Sequence, residues 1–565
     1  MSPQKSKESQ SHTRLKPVFF GYAVEVYRRG RRPKLRWRWG RIGFTLIALG
    51  LAGYLAFSTA LFWYYREKRE FKEVTAGQIL TWPIKRDAFR AAMGEYFIEQ
   101  ARAEFEAGNI SQGFHLLRAG VARKPDDLEA RMQFADILDL GLKRTDLAIK
   151  VLKEGVPYAA GDIDYLRKFI NLLMRNQEDQ QLIQFSSEQL KDPDELPRVE
   201  NLSEESPDWE VYQWQGLLAF ATAQAHYFRG NYDQAEALLK EYQLSGGHDA
   251  LFLQAMIQWK RGRSELAIAL LEEGLDRFPG SDKYYLQLTE FHRELGNPDT
   301  ARQYAILRAI NEPENPIPRI DLLYSFHQME DKQRELAETE ALLKKYADDE
   351  RVLQMLANYA ADTGQESLAR RIYGIALQNN FEISPFALLV IEAQIVQGAY
   401  SKAIAFCEQL EDEQPAWLNQ KRVIFNSLRA VAYFGAERFD LGQLYLSELL
   451  DSPNLRSETL VAVSRRLLDL RLEDAAARVL ENAVERNPEN QQALTRLIEV
   501  NLDRGDNQRL PSLVARLLEM RRPSYQLLEE IYEVLGSDRY LFSRYQETLL
   551  SELKAALHER LESTS

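Results

Sequence analysis

The sequence predicts an all-α chain: one membrane-spanning helix near the N-terminus, then a solenoid of about twelve helix–turn–helix units. Three observations carry this. Residues 42–65 contain no charged side chain. After them, apolar residues recur with helical period while Gly, Ala and Pro return at fixed offsets. Charge also divides along the chain. Of 72 Lys/Arg and 84 Asp/Glu, 12 and 2 lie in residues 1–41 and none in 42–65, leaving 60 and 82 beyond, a net of −22.

The leader, residues 1–41, is basic. Residues 1–16 are polar and read as disordered. "PVFFGYAVEVY" (Pro17–Tyr27) reads as a segment that docks on a partner or on a membrane surface. Gly30 and Pro33 prevent one continuous helix through the cluster Arg28–Arg41.

Ile42–Tyr65 is the membrane helix. Its 24 residues span about 36 Å at about 1.5 Å each, enough for a hydrocarbon layer of about 30 Å with some tilt. Trp37 and Trp39 flank one end and Trp63, Tyr64 and Tyr65 the other, as in an interfacial aromatic belt. A cleaved signal peptide would have a shorter apolar region and a shorter leader. Eight Lys/Arg lie in Arg28–Arg41, against Arg66, Lys68, Arg69 and Lys72 on the other side. The positive-inside bias then predicts a cytoplasmic N-terminus. Ala48, Ala52, Ala56 and Ala60 recur every four residues, a small-residue ridge suited to association between membrane helices.

Residues 66–93 read as a juxtamembrane linker, with a turn at "TWPIKRD" (Thr81–Asp87). Beyond it a pattern repeats. "ARAEFEAGNISQGFHLLRAGVARKPDD" (Ala101–Asp127), "AMIQWKRGRSELAIALLEEGLDRFPGSD" (Ala255–Asp282) and "TEFHRELGNPDTARQYAILRAINEPEN" (Thr289–Asn315) share one spacing. A small or hydroxyl residue is followed after seven residues by Gly, after five more by a small residue, and by Pro seventeen after the Gly. The pairs are Gly108/Pro125, Gly262/Pro279, Gly296/Pro313 and Gly398/Pro415. Gly permits a left-handed turn that ends the first helix. The small residues at Gly113, Ala267, Ala301 and Ala403 let the second helix approach the first, and Pro stops the second helix. One such pair cannot bury its apolar face alone; stacked pairs can.

The array resembles the tetratricopeptide repeats, a helix–turn–helix family of about 34 residues per unit. "YFRGNYDQAEALLKEY" (Tyr227–Tyr242) is among its clearest copies. Ser464–Asn490 matches at Ser464, Ala476, Ala483 and Pro488 but places Arg471 where Gly is usual; Ala357–Leu377 matches at Ala357, Gly364, Ala369 and Ala376 and then lacks the Pro. The resemblance implies a right-handed solenoid whose first helices line a concave groove for protein or peptide partners. By family pattern the groove positions of the clearest block are Gln224, Tyr227, Phe252, Met256, Trp259, Lys260, Glu290 and Arg293.

The expected organisation is leader (1–41), membrane helix (42–65), linker (66–93), first subarray (94–191), an insertion with three prolines (192–215), second subarray (216–524) and capping helices (525–565). The acidic body argues against nucleic-acid binding. The single cysteine, Cys407, lies inside an apolar pattern and reads as a buried hydrophobe. The seven histidines are scattered, and no phosphate loop, nucleophile elbow, calcium loop or two-histidine zinc motif occurs. No catalytic, metal or cofactor residue is therefore expected. Two sequons, at Asn109 and Asn201, are expected by chance. The expected role is a membrane-anchored binding scaffold in a bacterial envelope, with periplasmic repeats. The alternatives are a self-associating structural component, or a regulatory subunit of a membrane enzyme, secretion or polysaccharide-export machine.

Overall fold

The computed structural model describes residues 14–27, 34–68, 71–159, 161–196, 207–453, 455–505, 509–537 and 546–563. They form two compact units, Met1–Leu172 and Leu173–Ser565.

The first unit begins with a feature that the sequence reading missed. Residues 14–16, expected to be disordered, lie in a strand. Arg14–Val18 (β1), Ala23–Tyr27 (β2) and Lys34–Trp37 (β3) form an antiparallel sheet in the order β1-β2-β3. The β-branched alternation of Val24-Glu25-Val26 suits a pleated strand, and Ala23 and Val24, at the start of the middle strand, are buried. The sheet leads into helix α1, Trp39–Trp63, which is long and apolar enough to cross a membrane. Its C-terminal end meets a cluster in which Leu61, Phe62 and Tyr65 pack against buried Phe71, Val74, Ile79, Phe89 and Tyr96. A capping box at Thr75 starts the short helix Ala76–Thr81: Thr75 Oγ1 accepts from Gln78 N at 3.3 Å and Gln78 Oε1 accepts from Thr75 N at 2.9 Å. The turn expected within Thr81–Asp87 is present at Trp82–Ile84, but the next helix starts at Arg86, inside the expected linker. Its apolar residues Phe89 and Met93 join the juxtamembrane cluster, which draws helix formation forward.

Among the described residues helix pairs then continue to Ser563, and the glycine spacing has the expected cause. Gly108, Gly262, Gly296 and Gly398 have φ of +84°, +77°, +72° and +76°. In each turn the N–H after the Gly donates to the carbonyl five residues earlier, as Asn109 to Glu104 at 2.8 Å and Arg263 to Gln258 at 3.0 Å. Arg471 makes the same turn at φ +59°, with Leu472 N–H on Leu467 O at 2.9 Å. The small positions are close contacts: Ala267 and Ala403 are fully buried, and a Cβ added to Gly113 would stand 2.6 Å from the Phe105 ring.

In the second unit, helix Pro207–Phe228 begins inside the expected insertion, 192–215. Pro207 tolerates the first helical position because its missing N–H has no partner there anyway. Residues 197–206 of that stretch lie outside the described residues. One continuous apolar core runs from Ile320 to Leu557, including Cys407. Smaller cores serve the units before it, around Ala223–Ile257 and Ala255–Phe291. The helices Tyr525–Leu535 and Gln546–Ser563 close the array.

Candidate partner-binding cleft

The block expected to carry the groove consists of helices Pro207–Phe228, Tyr232–Glu241, His248–Lys260, Ser264–Arg277, Asp282–Glu294 and Pro298–Asn311. Its aromatic groove candidates are half-buried and bridge neighbouring repeats. Trp259 stacks on Phe291 with centroids 3.7 Å apart and planes within 5°. Phe252 meets the edge of Tyr284 at 5.7 Å, and Lys283 Nζ sits 4.6 Å above the Phe252 ring. Met256 packs against the same core, and Tyr227 packs against the preceding one. Gln224 is half-buried, whereas Lys260, Glu290 and Arg293 are exposed. Ion pairs brace the block: Arg261 reaches Asp233 at 2.5 Å and Glu236 at 2.8 Å, and Arg308 joins Asp282 and Asp321 at 2.5 Å each.

The second unit then returns to this block. Residues 519–525, between helix Leu510–Leu518 and helix Tyr525–Leu535, lie against residues 174–232. Arg521 makes a two-pronged ion pair with Asp179, Nε to Oδ2 and Nη2 to Oδ1 at 2.9 Å each. The Asp179 carboxylate is 1% exposed. Arg521 Nη2 also donates to Met174 O at 2.9 Å, and its guanidinium lies 3.9 Å over the Phe228 ring. Arg522 N–H donates to Phe228 O at 2.7 Å, and Arg229 Nη1 to Glu519 O at 2.8 Å. Gly230 makes room for this: a Cβ there would stand 2.3 Å from Arg522 Nε.

This seam encloses a cleft of about 310 Å³, with Tyr227, Phe228, Tyr232 and Lys260 on one wall and Arg521–Tyr525 on the other. Lys260, Arg521 and Arg522 line it and no carboxylate does, though the Arg521 charge is already met by Asp179. Burial pushes the Tyr227 hydroxyl up to about 12. Burial, with Tyr525 and Tyr227 nearby, also raises Tyr232 against the opposing pull of Arg522. The Tyr232 hydroxyl is already hydrogen-bonded to Tyr525. A carboxylate or phosphate is the chemistry such walls favour.

Two of the eight groove candidates, Tyr227 and Lys260, line this cleft; the other six do not. Arg521, Arg522 and Tyr525 were missed. "RRPSY" (Arg521–Tyr525) was legible as a break between helices, but nothing in it names a target about 290 residues earlier. His226 and His292 are half-buried packing residues, His226 held below its usual range by burial and His292 stacked on Tyr304 at 5.6 Å. Among the described residues no group of three or more His, Cys, Asp or Glu could hold a metal ion.

Residues 220–282, 252–316 and 464–509 match the family profile described as tetratricopeptide repeat. These segments carry tetratricopeptide repeats. They hold the glycine turns at Gly262 and Gly296 and the Arg471 variant of that turn. Among solved structures, yeast Tom70 is 13% identical, covering 90% of this chain and 96% of its own, with a TM-score of 0.29. A tetratricopeptide repeat protein from Parabacteroides merdae is 14% identical, covering 51% of this chain and 98% of its own, with a TM-score of 0.28. No curated protein matches the chain. One wall of the cleft, Tyr227–Lys260, belongs to a matched tetratricopeptide segment; the other lies beyond the last one.

Proposed function

We propose that the chain is a membrane-anchored tetratricopeptide scaffold that holds a protein or peptide partner, without catalysis or a cofactor. Solenoids of this type present extended surfaces for partners. The observation that carries the reading is the cleft at the seam, cationic and tyrosine-lined in a body whose net charge is −22. An acidic segment of the partner enters it between Lys260 and Arg522. The flanking surface of the same block, with Gln224, Phe252, Met256, Trp259, Glu290 and Arg293, supplies further contacts.

α1 anchors this scaffold in a bacterial inner membrane, with the leader cytoplasmic and the repeats periplasmic. The eight-to-four excess of Lys/Arg before the apolar run supports that orientation. Protease added to spheroplasts tests it: the repeats are degraded while the membrane stays sealed. Protection of the body with cleavage of the leader would reverse the topology. The binding reading is tested by affinity purification of the full chain against its Lys260→Glu and Arg522→Glu variants. The expected result is a partner retained by the wild type and lost from both variants. Equal recovery on all three would remove the cleft from the binding surface.

A second reading, self-association through the membrane helix, has one observation in its favour. Ala48, Ala52, Ala56 and Ala60 all lie exposed along α1. Replacing Ala52 and Ala56 with Leu is expected to weaken a membrane two-hybrid signal; an unchanged signal refutes this reading.

A further inference from the structure

One end of the N-terminal sheet carries a strained turn with exposed aromatic rings. The register sets Val18, Ala23 and Trp37 side by side at that end. The turn beyond them, residues 19–22, is tied to the start of α1. Arg38 N–H donates to Tyr22 O at 2.7 Å, and Arg41 Nη1 to Gly21 O at 3.5 Å. The turn is therefore level with the last charged residues before the apolar run that starts at Ile42.

Phe19 and Phe20 have φ of +52° and +54°, a left-handed conformation that bulky side chains avoid. Phe20 is completely exposed and Phe19 is 62% exposed. Phe19 stacks on Trp37, with centroids 5.9 Å apart, and Trp39, two residues on in the chain, is exposed. Four large rings at one strained tip form an apolar patch that water does not favour. Lys16, Arg36, Arg38 and Arg41 are exposed on the same strands and at the start of α1, and the described residues of 14–27 and 34–41 hold one acidic residue, Glu25, opposite Lys16 in the register.

We propose that this end of the sheet docks into the anionic phospholipid surface of the bilayer that α1 spans. The rings of Phe19, Phe20, Trp37 and Trp39 enter the boundary between headgroups and acyl chains. Lys16, Arg36, Arg38 and Arg41 hold lipid phosphates. The inference rests on α1 being a membrane span. Two features favour lipid as the occupant: continuity with the span, and charge complementarity to an anionic surface. A lone span is free to rotate about its axis and to shift in depth. A docked sheet hydrogen-bonded to its first turn fixes both, and so fixes how the repeats leave the membrane.

The test uses the full chain in phosphatidylglycerol–phosphatidylcholine vesicles, with the fluorophore NBD on Phe20→Cys or Ala52→Cys. Cys407 is fully buried, and burial pushes its thiol up to about 12, so labelling goes to the introduced cysteine. At Phe20 the expected result is quenching by lipid spin-labelled near the headgroup. Iodide quenching there should fall roughly threefold or more relative to free dye, as for a site about 5–10 Å into the interface. At Ala52 the expected result is quenching by lipid labelled deep in the acyl chain. Adding Phe19→Asp and Trp37→Ser should restore iodide access at position 20, which excludes partitioning by the dye itself. Vesicles of phosphatidylcholine alone should weaken the shielding. Free iodide access at position 20 with Ala52 still quenched by deep lipid overturns the docking and leaves the anchor standing. Free iodide access at both positions overturns the anchor. Equal shielding with and without phosphatidylglycerol overturns the assignment to anionic lipid.

Discussion

Arg521→Met should open the seam that builds the cleft. Asp179 is 1% exposed, and in the wild type its carboxylate accepts both prongs of the Arg521 guanidinium at 2.9 Å. Methionine keeps much of the side-chain volume against Phe228 but leaves a buried carboxylate unpaired. Breaking a buried pair from one side costs about 3–5 kcal/mol. Two effects reduce this. Asp179 is the first residue of helix Asp179–Gln189, where the helix dipole stabilises a negative charge by about 0.3–1 kcal/mol. The seam can also part, which returns the carboxylate to water at the expense of the contacts of Arg522 and Arg229. The loss is therefore at most about 2–5 kcal/mol, and smaller to the extent that the seam parts.

Urea unfolding gives the magnitude and amide hydrogen exchange gives the location. Protection of the Arg522 amide, which donates to Phe228 O at 2.7 Å, should fall steeply, while amides of the core from Ile320 to Leu557 remain protected. Asp179→Leu combined with Arg521→Leu should recover most of the loss, because an apolar pair can replace a buried ion pair. A wild-type urea midpoint with an unchanged Arg522 exchange rate in Arg521→Met would refute the reasoning. The seam would then be a contact without energetic weight.

Other variants test the repeats directly. Ala267→Arg places a charge at a fully buried helix contact and should cost more than about 4 kcal/mol, read as failure to melt cooperatively; a wild-type melting curve would dismiss the assignment. Arg471→Gly should raise stability by about 1 kcal/mol in urea unfolding, since Arg471 holds φ +59°; a loss of stability would mean that its side chain matters more than its backbone. Glu366 is held down at about 2, chiefly by its hydrogen bond from Lys402 at 2.6 Å, with Gln394 and Arg370 also donating. Its folded value lies below its unfolded value of 4.5, so the stability it supplies is complete above about 4.5 and is lost as pH falls towards about 2. That contribution is about 3 kcal/mol before screening and nearer 1–2 kcal/mol with Lys402 and Arg370 reaching solvent. Glu366→Gln should flatten the urea midpoint between pH 5 and pH 2 by about that amount, and an unchanged acid profile would refute the assignment.

What the sequence disclosed divides by the range of the interaction. Gly108, Gly262, Gly296 and Gly398 were legible because their constraint is local: the residue must adopt positive φ wherever the chain goes next. The buried small residues Ala267 and Ala403 were legible for a related reason, since the partner helix lies only one turn away in sequence. Arg471 shows the limit of reading by residue type. The turn survives without its glycine because the hydrogen bond from Leu472 to Leu467 and the flanking helices hold it, so the missing Gly marked strain and not a missing unit. The sheet was missed because its pattern is short and is set among arginines that suggest disorder. The candidate cleft was legible only by half. Tyr227 and Lys260 follow from the family's groove pattern, but Arg521 and Arg522 reach them through the accumulated curvature of many stacked units. Each unit adds a small rotation, and no single segment encodes the sum. Contacts that depend on that sum, such as Arg521 with Asp179, are invisible to periodicity and become visible only once every repeat is in place.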